Sequence, residues 1–337
     1  MRQTSRRGRW PRIASGRPLA TVAIVLSCAI ALAGCIQPGF NQASATTSVP
    51  PVHGTLPTRA DSYLGVYEPS APASYGQIDD FATKVRRKPN LDLFFSGWGE
   101  AFTTAFARTA YRNGAIPYID IDPGKISVSG IAAGLQDDFL RRYAASVRRF
   151  HHPVVISFGH EANGDWYPWG YRHVPPAVWV SAWRHIVTIF RQSGADNVTW
   201  LWIMNHEATG EGPIQDWWPG GAYVNWVGID GYYDVPSDNF ESIFGPTIAT
   251  VRKMTNKPIL ISETAVGPVA GRAAKIPNLF AGVRANHLLG LVWFDKSQHQ
   301  GIHHQAWRIE GHAQALRQFS RQAQAYRLVT PGRGSTT

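Results

Sequence analysis

Cysteine is nearly missing from this chain: there are two in 337 residues, Cys28 and Cys35. Both lie in the N-terminal segment, so neither a disulfide nor a cysteine-bound metal is expected in the folded part. Long apolar runs are missing too. The longest, Leu19 to Ala33, is short for a bilayer-spanning helix, which needs about 20 residues. No glycine-rich phosphate loop follows the first candidate strand, no His-Glu-x-x-His zinc motif occurs, and no internal repeat is present. Positive charge looks abundant, with 33 Lys and Arg against 23 Asp and Glu, a formal +10. Yet Arg2, Arg6, Arg7, Arg9, Arg12 and Arg17 precede Cys35 with no acidic residue among them, and the rest of the chain carries only +4. The remaining cations are scattered. Arg141, Arg142, Arg148 and Arg149 read as a solvated helix face, and nucleic acid is not an expected partner.

The basic head and the apolar stretch behind it form a leader to be set aside from the fold. It ends in Leu32-Ala33-Gly34-Cys35, which resembles a bacterial lipobox, where the cysteine is lipidated and becomes the first mature residue. A plain signal peptide and an uncleaved anchor are the alternatives. The expected organisation is a leader over residues 1–35, a tether rich in Pro, Gly, Ser and Thr over 36–60, one folded domain over 61–328 and a tail over 329–337. Such a protein is expected outside the cytoplasm as a monomer, held to the membrane by lipid on Cys35.

Between these ends the pattern is regular. Short β-branched or aromatic runs at Tyr63–Tyr67, Leu91–Ser96, Ile116–Ile121, Val154–Phe158, Val198–Met204, Trp226–Asp230, Ile259–Ser262 and Leu291–Phe294 read as eight strands. Helical periodicity fills most gaps, over Ala101–Arg112, Gln136–Phe150, Pro176–Gln192, Asn239–Met254, Ala273–Asn286 and Ala313–Arg327. Eight alternating units over this length predict an α/β fold, a single (β/α)8 TIM barrel with aromatic-rich loops at the C-terminal face. An open doubly wound sheet is the rival, disfavoured by the missing glycine-rich loop. Gln215–Gly221 reads as a long loop above the fifth strand, serving either as substrate wall or as rim packing.

Two of the strands end in glutamate. Val154 to Phe158 leads into His160 and Glu161, followed by Trp166, Tyr167 and Trp169; Ile259 to Ile261 leads into Glu263. In a parallel barrel all such ends share one face, so carboxylates 102 positions apart can meet. Cleaving a glycosidic bond needs a proton donor for the leaving oxygen and a carboxylate for the developing cation. Aromatic neighbours make Glu161 the better acid, while Glu263, given a hydrogen bond from Tyr232, is expected to stay ionised. A retaining pair lies ~5 Å apart and an inverting pair ~6.5–9.5 Å. Trp98, Trp166, Trp169, Trp202, Trp217, Trp218 and Trp293 fall at or after strand ends, as a row of sugar platforms would, though some belong to the core. Asn205, after the fifth strand, is a further candidate contact; Asp120 and Asp122 either bind sugar hydroxyls or cap a loop.

The segments GHEANGDWYPWG, VNWVGIDGYY, KPILISETAVG and LVWFDKSQHQ, in this order, resemble glycoside hydrolase family 26, whose members include β-mannanases and some mixed-linkage β-glucanases. The resemblance covers Tyr63 to about Glu310. It implies a retaining barrel with Glu161 as acid/base, Glu263 as nucleophile, His160 as substrate contact, Tyr232 steadying the nucleophile and Trp293 under the reacting sugar. It also implies a polysaccharide partner, β-mannan first and mixed-linkage glucan second, and no cofactor. Ser157 departs from the pattern, since many members carry an arginine four residues before the acid/base.

Two other classes compete. A metallohydrolase would draw on His160, Glu161, His299, His303 and His304, but the spacing suits no zinc motif and no metal site is expected. A non-catalytic polysaccharide-binding barrel is the second, favoured by Ser157 and opposed by the retention of both glutamates.

Overall fold

The computed structural model describes residues 56–207, 210–297 and 306–330. The leader with Cys35, and His299, His303 and His304, lie outside the described residues. Eight parallel strands close into a barrel in sequence order, with β1 pairing both β2 and β8. The elements are β1 (Tyr63–Tyr67), α1 (Gly76–Val85), β2 (Leu91–Gly97), α2 (Thr104–Arg112), β3 (Ile116–Asp122), α3 (Val128–Ala132), α4 (Asp137–Phe150) and β4 (Val154–Phe158). There follow α5 (Pro176–Gln192), β5 (Val198–Asn205), β6 (Trp226–Asp230), α6 (Phe240–Met254), β7 (Ile259–Thr264), α7 (Arg272–Ala285), β8 (Gly290–Phe294) and α8 (Ala313–Gln324). All eight expected strands are present, and their ends differ from the sequence reading by two residues at most.

Of two unusual crossovers, one departs from expectation and the other is the expected loop. The first carries α1, whose buried Ile78, Phe81 and Val85 recur at helical spacing in a segment too short and polar to stand out. The fifth has 3-10 turns at Ile214–Trp217 and Gly221–Tyr223 where a helix would cover the strand, because Pro219 and two glycines interrupt it. Trp217 is fully buried and packs edge-on against Trp179, so this stretch is rim packing and not substrate wall.

The core has two shells. Inside the barrel lie Leu93, Tyr118, Val155, Ile203, Leu260 and Val292, each from a different strand. Between strands and helices lies a larger shell, typified by α5: Trp179, Trp183, Ile186, Val187 and Phe190 share its buried face, and Trp200 of β5 meets Phe190 at 5.1 Å. Because strands are apolar on both faces, their sequences run hydrophobic without alternation. The inside shell stops short of the C-terminal ends, where the interior positions turn polar: Asp120, Ser157, Asp230 and Ser262 are all fully buried.

Candidate active site

Strand alternation explains how β4 delivers its glutamate. Val155 faces the barrel interior and Val154, Ile156 and Phe158 face the helices, which leaves Ser157 inside, opposite Asp120 in the register with β3. Gly159 then turns the chain with φ +54, where an added Cβ would meet the Trp179 indole nitrogen at 3.0 Å. Glu161 itself is left-handed, φ +50, a conformation that costs a non-glycine residue about 1–2 kcal/mol. Its backbone N–H donates to Ile203 O and its carbonyl accepts from Gly164 N. Trp166 lies across Gly164, where a Cβ would collide with the ring at 2.3 Å, and its Nε1 donates to Glu161 Oε2 at 2.8 Å.

β7 delivers the second carboxylate by breaking its own register. Leu260 points in and Ile261 out, so regular alternation would send Glu263 outward. The pairing slips against β6 between Ile229 and Asp230 and against β8 between Ile261 and Thr264, which turns Glu263 toward the barrel mouth. There Tyr232 donates to Glu263 Oε2 at 2.6 Å. Beneath them Ser262 donates to the buried Asp230.

Close enough to act on both glutamates sits His160. Its Nδ1 is 3.3 Å from Asp120 Oδ2 and 3.2 Å from Asp122 Oδ1, and its Nε2 is 3.0 Å from the Tyr167 hydroxyl. Burial alone would strip its proton, but Asp120, then Tyr167 and Asp122, hold its pKa well above the ordinary value. These acids bias His160 toward the imidazolium form. Among the described residues the other buried cation is Arg272, which donates to the carbonyls of Trp307 and Arg308. Among the described residues, then, no buried arginine stands beside these carboxylates in place of the one missing at Ser157, and the positive charge acting on both is that of His160. Asp120, His160 and Glu263 do offer three ligand atoms within 4.8 Å of one another. The acids around it favour the charged ring, and in that form His160 serves as their counter-charge.

The electrostatics correct one expectation. Burial raises the pKa of both glutamates, and Glu263 is pushed up to about 8 although His160 and the Tyr232 hydrogen bond oppose the shift and the charge of Glu161 adds to it. The contrast between a protonated Glu161 and an ionised Glu263 is not a property of the two environments taken singly; the pair titrates together.

Several aromatic expectations also change. Trp293 is fully buried outside the barrel, edge-on to Phe319 of α8 at 5.2 Å, with its Nε1 donating to Asp295. It cannot lie under a sugar. The residue of β8 that faces the mouth is its neighbour Phe294, stacked on Tyr67 at 4.5 Å and edge-on to Tyr232. Trp169 is buried, stacked on Tyr167 at 4.4 Å and donating to His160 O, so it supports the site from behind. Trp98 is half-buried against Phe139 and Phe158, with its indole nitrogen bonded to Gln136. Of the seven tryptophans in the expected row only Trp166 is exposed, at 45%. Asn205 spends its side chain on Glu211 and His206 and joins the β4 and β5 loops.

A stability consequence follows from so many buried acids. Asp92, Glu263 and Glu68 are raised to about 7, 8 and 9 and Asp295 to about 6, with burial the largest cause in each. Each holds its proton more tightly folded than unfolded, so its contribution is complete below about pH 4 and is lost as pH rises through the folded value, up to about 1.4 kcal/mol per pH unit per group. Glu310, lowered to about 2 against burial by Arg308 and Lys84, acts in the opposite sense below pH 4.5. Thermal unfolding is expected at clearly higher temperature at pH 5 than at pH 8; a flat or rising profile across that range contradicts the burial of these acids.

Comparison with known proteins places this geometry. Residues 104–273 match the model of glycosyl hydrolase family 26. Endoglucanase H of Acetivibrio thermocellus is 30% identical over 260 residues, which is 72% of this chain but 28% of that protein, so the chain spans under a third of its length. Among solved structures, a modular endo-β-1,4-mannanase from Cellulomonas fimi shares the fold with a TM-score of 0.62 at 16% identity, covering 80% of this chain and 72% of that one. A β-mannanase from Bacteroides ovatus does so at 0.60 and 14%, covering 81% and 90%. The family match runs through the strands that carry Glu161 and Glu263 and takes in half of the sequence, and on that ground the chain belongs to glycosyl hydrolase family 26.

Proposed function

We propose that this protein is a retaining endo-β-glycosidase in which Glu263 is the nucleophile and Glu161 the acid/base. The observation that carries the reading is the pair of buried glutamates on one barrel face, each held by one neutral donor, Tyr232 or Trp166. With Oε2 of Glu263 fixed by Tyr232, its Oε1 is left to attack the anomeric carbon while Glu161 gives its proton to the departing oxygen. The glycosyl ester is then hydrolysed by a water that Glu161 deprotonates. His160 balances the negative charge left on the pair. Because the pair shares its protons, the substrate's leaving oxygen selects Glu161 as the donor by position.

The relative sharing 30% identity is named an endoglucanase, whereas the mannanases are alike in fold alone. A β-glucan is therefore the first polymer proposed; β-mannan, which the sequence motifs favour, is the second. The test is reducing-sugar release from mixed-linkage glucan, cellulose, β-mannan, xylan and bacterial exopolysaccharides. Cleavage of one polymer names the substrate. Tight binding without cleavage of any sinks the enzyme in favour of a binding barrel.

We also place the protein outside the cytoplasm, anchored by lipid on Cys35, on the strength of Leu32-Ala33-Gly34-Cys35 after the basic apolar leader. Palmitate labelling of the full chain in a bacterial host is expected to be lost in Cys35→Ala; equal labelling of the variant refutes the anchor.

A further inference from the structure

The left-handed Glu161 is held by a network that reaches well beyond its own loop. Two residues on, Asn163 is fully buried and locked to the end of β5 by a closed pair of bonds: its Nδ2 donates to Asn205 O at 3.0 Å and its Oδ1 accepts from Asn205 N at 2.9 Å. Asn163 O accepts from Gly212 N at 2.8 Å. The two side-chain amides, of Asn163 and Asn205, then converge on one carboxylate. Asn163 Nδ2 donates to Glu211 Oε2 and Asn205 Nδ2 to Glu211 Oε1, both at 2.9 Å.

We infer that Glu211 is a positioning residue for the acid/base: its carboxylate spans Asn163 and Asn205, fixes the β4 loop to the β5 loop, and so holds Glu161 in its strained, left-handed pose. The inference deepens the glycosidase reading and rests on it for the role of Glu161. The chemistry requires an acceptor with two equivalent oxygens here. Each amide nitrogen needs an oxygen to donate to, and both amide oxygens are already taken, by Asn205 N and by His206 Nδ1 at 3.1 Å. A carboxylate satisfies both donors at once; a glutamine would turn one N–H₂ toward another. The opposite side of the loop is fixed independently, by Tyr171 N donating to Ala162 O and Gly164 O and by Trp169 Nε1 donating to His160 O. Losing Glu211 therefore loosens the loop on one side and leaves the fold standing.

The test compares the full-length protein with Glu211→Gln and Glu211→Asp, using amide hydrogen exchange and kinetics. In Glu211→Gln the amides of Asn205, Gly212 and Glu161 are expected to exchange at least about tenfold faster, with the strand amides of β1 and β8 unchanged. On the polymer the protein cleaves, kcat is expected to fall about 10- to 100-fold with KM within about twofold. The formation of glycosyl-enzyme from a 2,4-dinitrophenyl glycoside, whose leaving group needs no proton, is expected to fall less than threefold. Glu211→Asp, one methylene shorter but keeping both oxygens, is expected to recover part of kcat. Unchanged exchange, or equal losses with sugar and dinitrophenolate as leaving group, overturns the inference. Should the unsubstituted protein cleave no glycan, the glycosidase reading fails and the positioning role with it, and the exchange data then describe only a loop clamp.

Discussion

Glu263→Ala is expected to lower kcat on the cleaved polymer by roughly 10⁴- to 10⁶-fold, the scale of losing a covalent nucleophile. KM is expected to change little, because Glu263 is buried and forms its strongest contact with substrate only as the anomeric carbon becomes positive. The loss is not one of folding. Glu263 carries a pKa raised to about 8, chiefly by burial, so its ionised form opposes folding as pH climbs toward that value. Removing it takes away the acceptor of the Tyr232 hydroxyl bond, the loss of a net hydrogen bond costing about 0.5–1.5 kcal/mol, but also removes a buried charge, and the variant's melting temperature is expected to fall less at pH 8 than at pH 5. Azide supplies the decisive chemistry. Small enough to enter the space the carboxylate leaves, it attacks from the same side and displaces the leaving group with inversion, giving the α-glycosyl azide from a β-glycoside. Appearance of the β-azide with this variant would exchange the roles of the two glutamates, and a kcat within tenfold of the parent would remove Glu263 from the chemistry altogether.

How much of this was legible in the sequence depends on which physical signal carries each feature. The barrel was legible because eight apolar runs of strand length, separated by amphipathic helices, admit few other closures, and the strands fall where those runs lie. Glu161 and Glu263 were legible as the first carboxylates after two such runs. What the sequence hid is direction. β8 reads Gly-Leu-Val-Trp-Phe, apolar on both faces, so nothing in it says that Phe294 faces the mouth and Trp293 faces α8. β7 would send Glu263 outward without its register slips, and a slip has no side-chain signature in Ile259–Thr264. The seven tryptophans failed as a row of platforms for a related reason: a large ring near a strand end finds more surface to bury against helices than in the mouth, as Trp202 and Trp217 do. Interactions between distant segments were beyond reach. Asp120 and Asp122 meet His160 from 38–40 positions away, and Glu211 meets Asn163 from 48. Polar residues at the end of one strand announce a site, but their partners come from neighbouring strands that only closure of the barrel brings alongside.

Glu161→Ala is expected to cost about 10³- to 10⁴-fold in kcat on a polysaccharide, where the departing sugar oxygen must be protonated, and almost nothing in the first step with a 2,4-dinitrophenyl glycoside. That asymmetry defines an acid. With the activated substrate the glycosyl ester on Glu263 forms at nearly the parent rate and then waits, since no base remains to deprotonate water; a burst of one equivalent of dinitrophenolate is expected, followed by slow turnover. Azide, which needs no deprotonation, is expected to speed that turnover and to give the β-glycosyl azide, because it displaces an α-linked ester from the opposite face. Trp166 sharpens the prediction. Its indole donates to Glu161 Oε2 at 2.8 Å and is the exposed ring beside the pair, so azide reaches the ester along the path the leaving group takes. A variant that loses equally on sugar and dinitrophenolate leaving groups, with no burst and no azide product, would mean that Glu161 shapes the site and that the proton comes from another group in the mouth. Asp122, which is half-buried beside His160, is the first to test in that case.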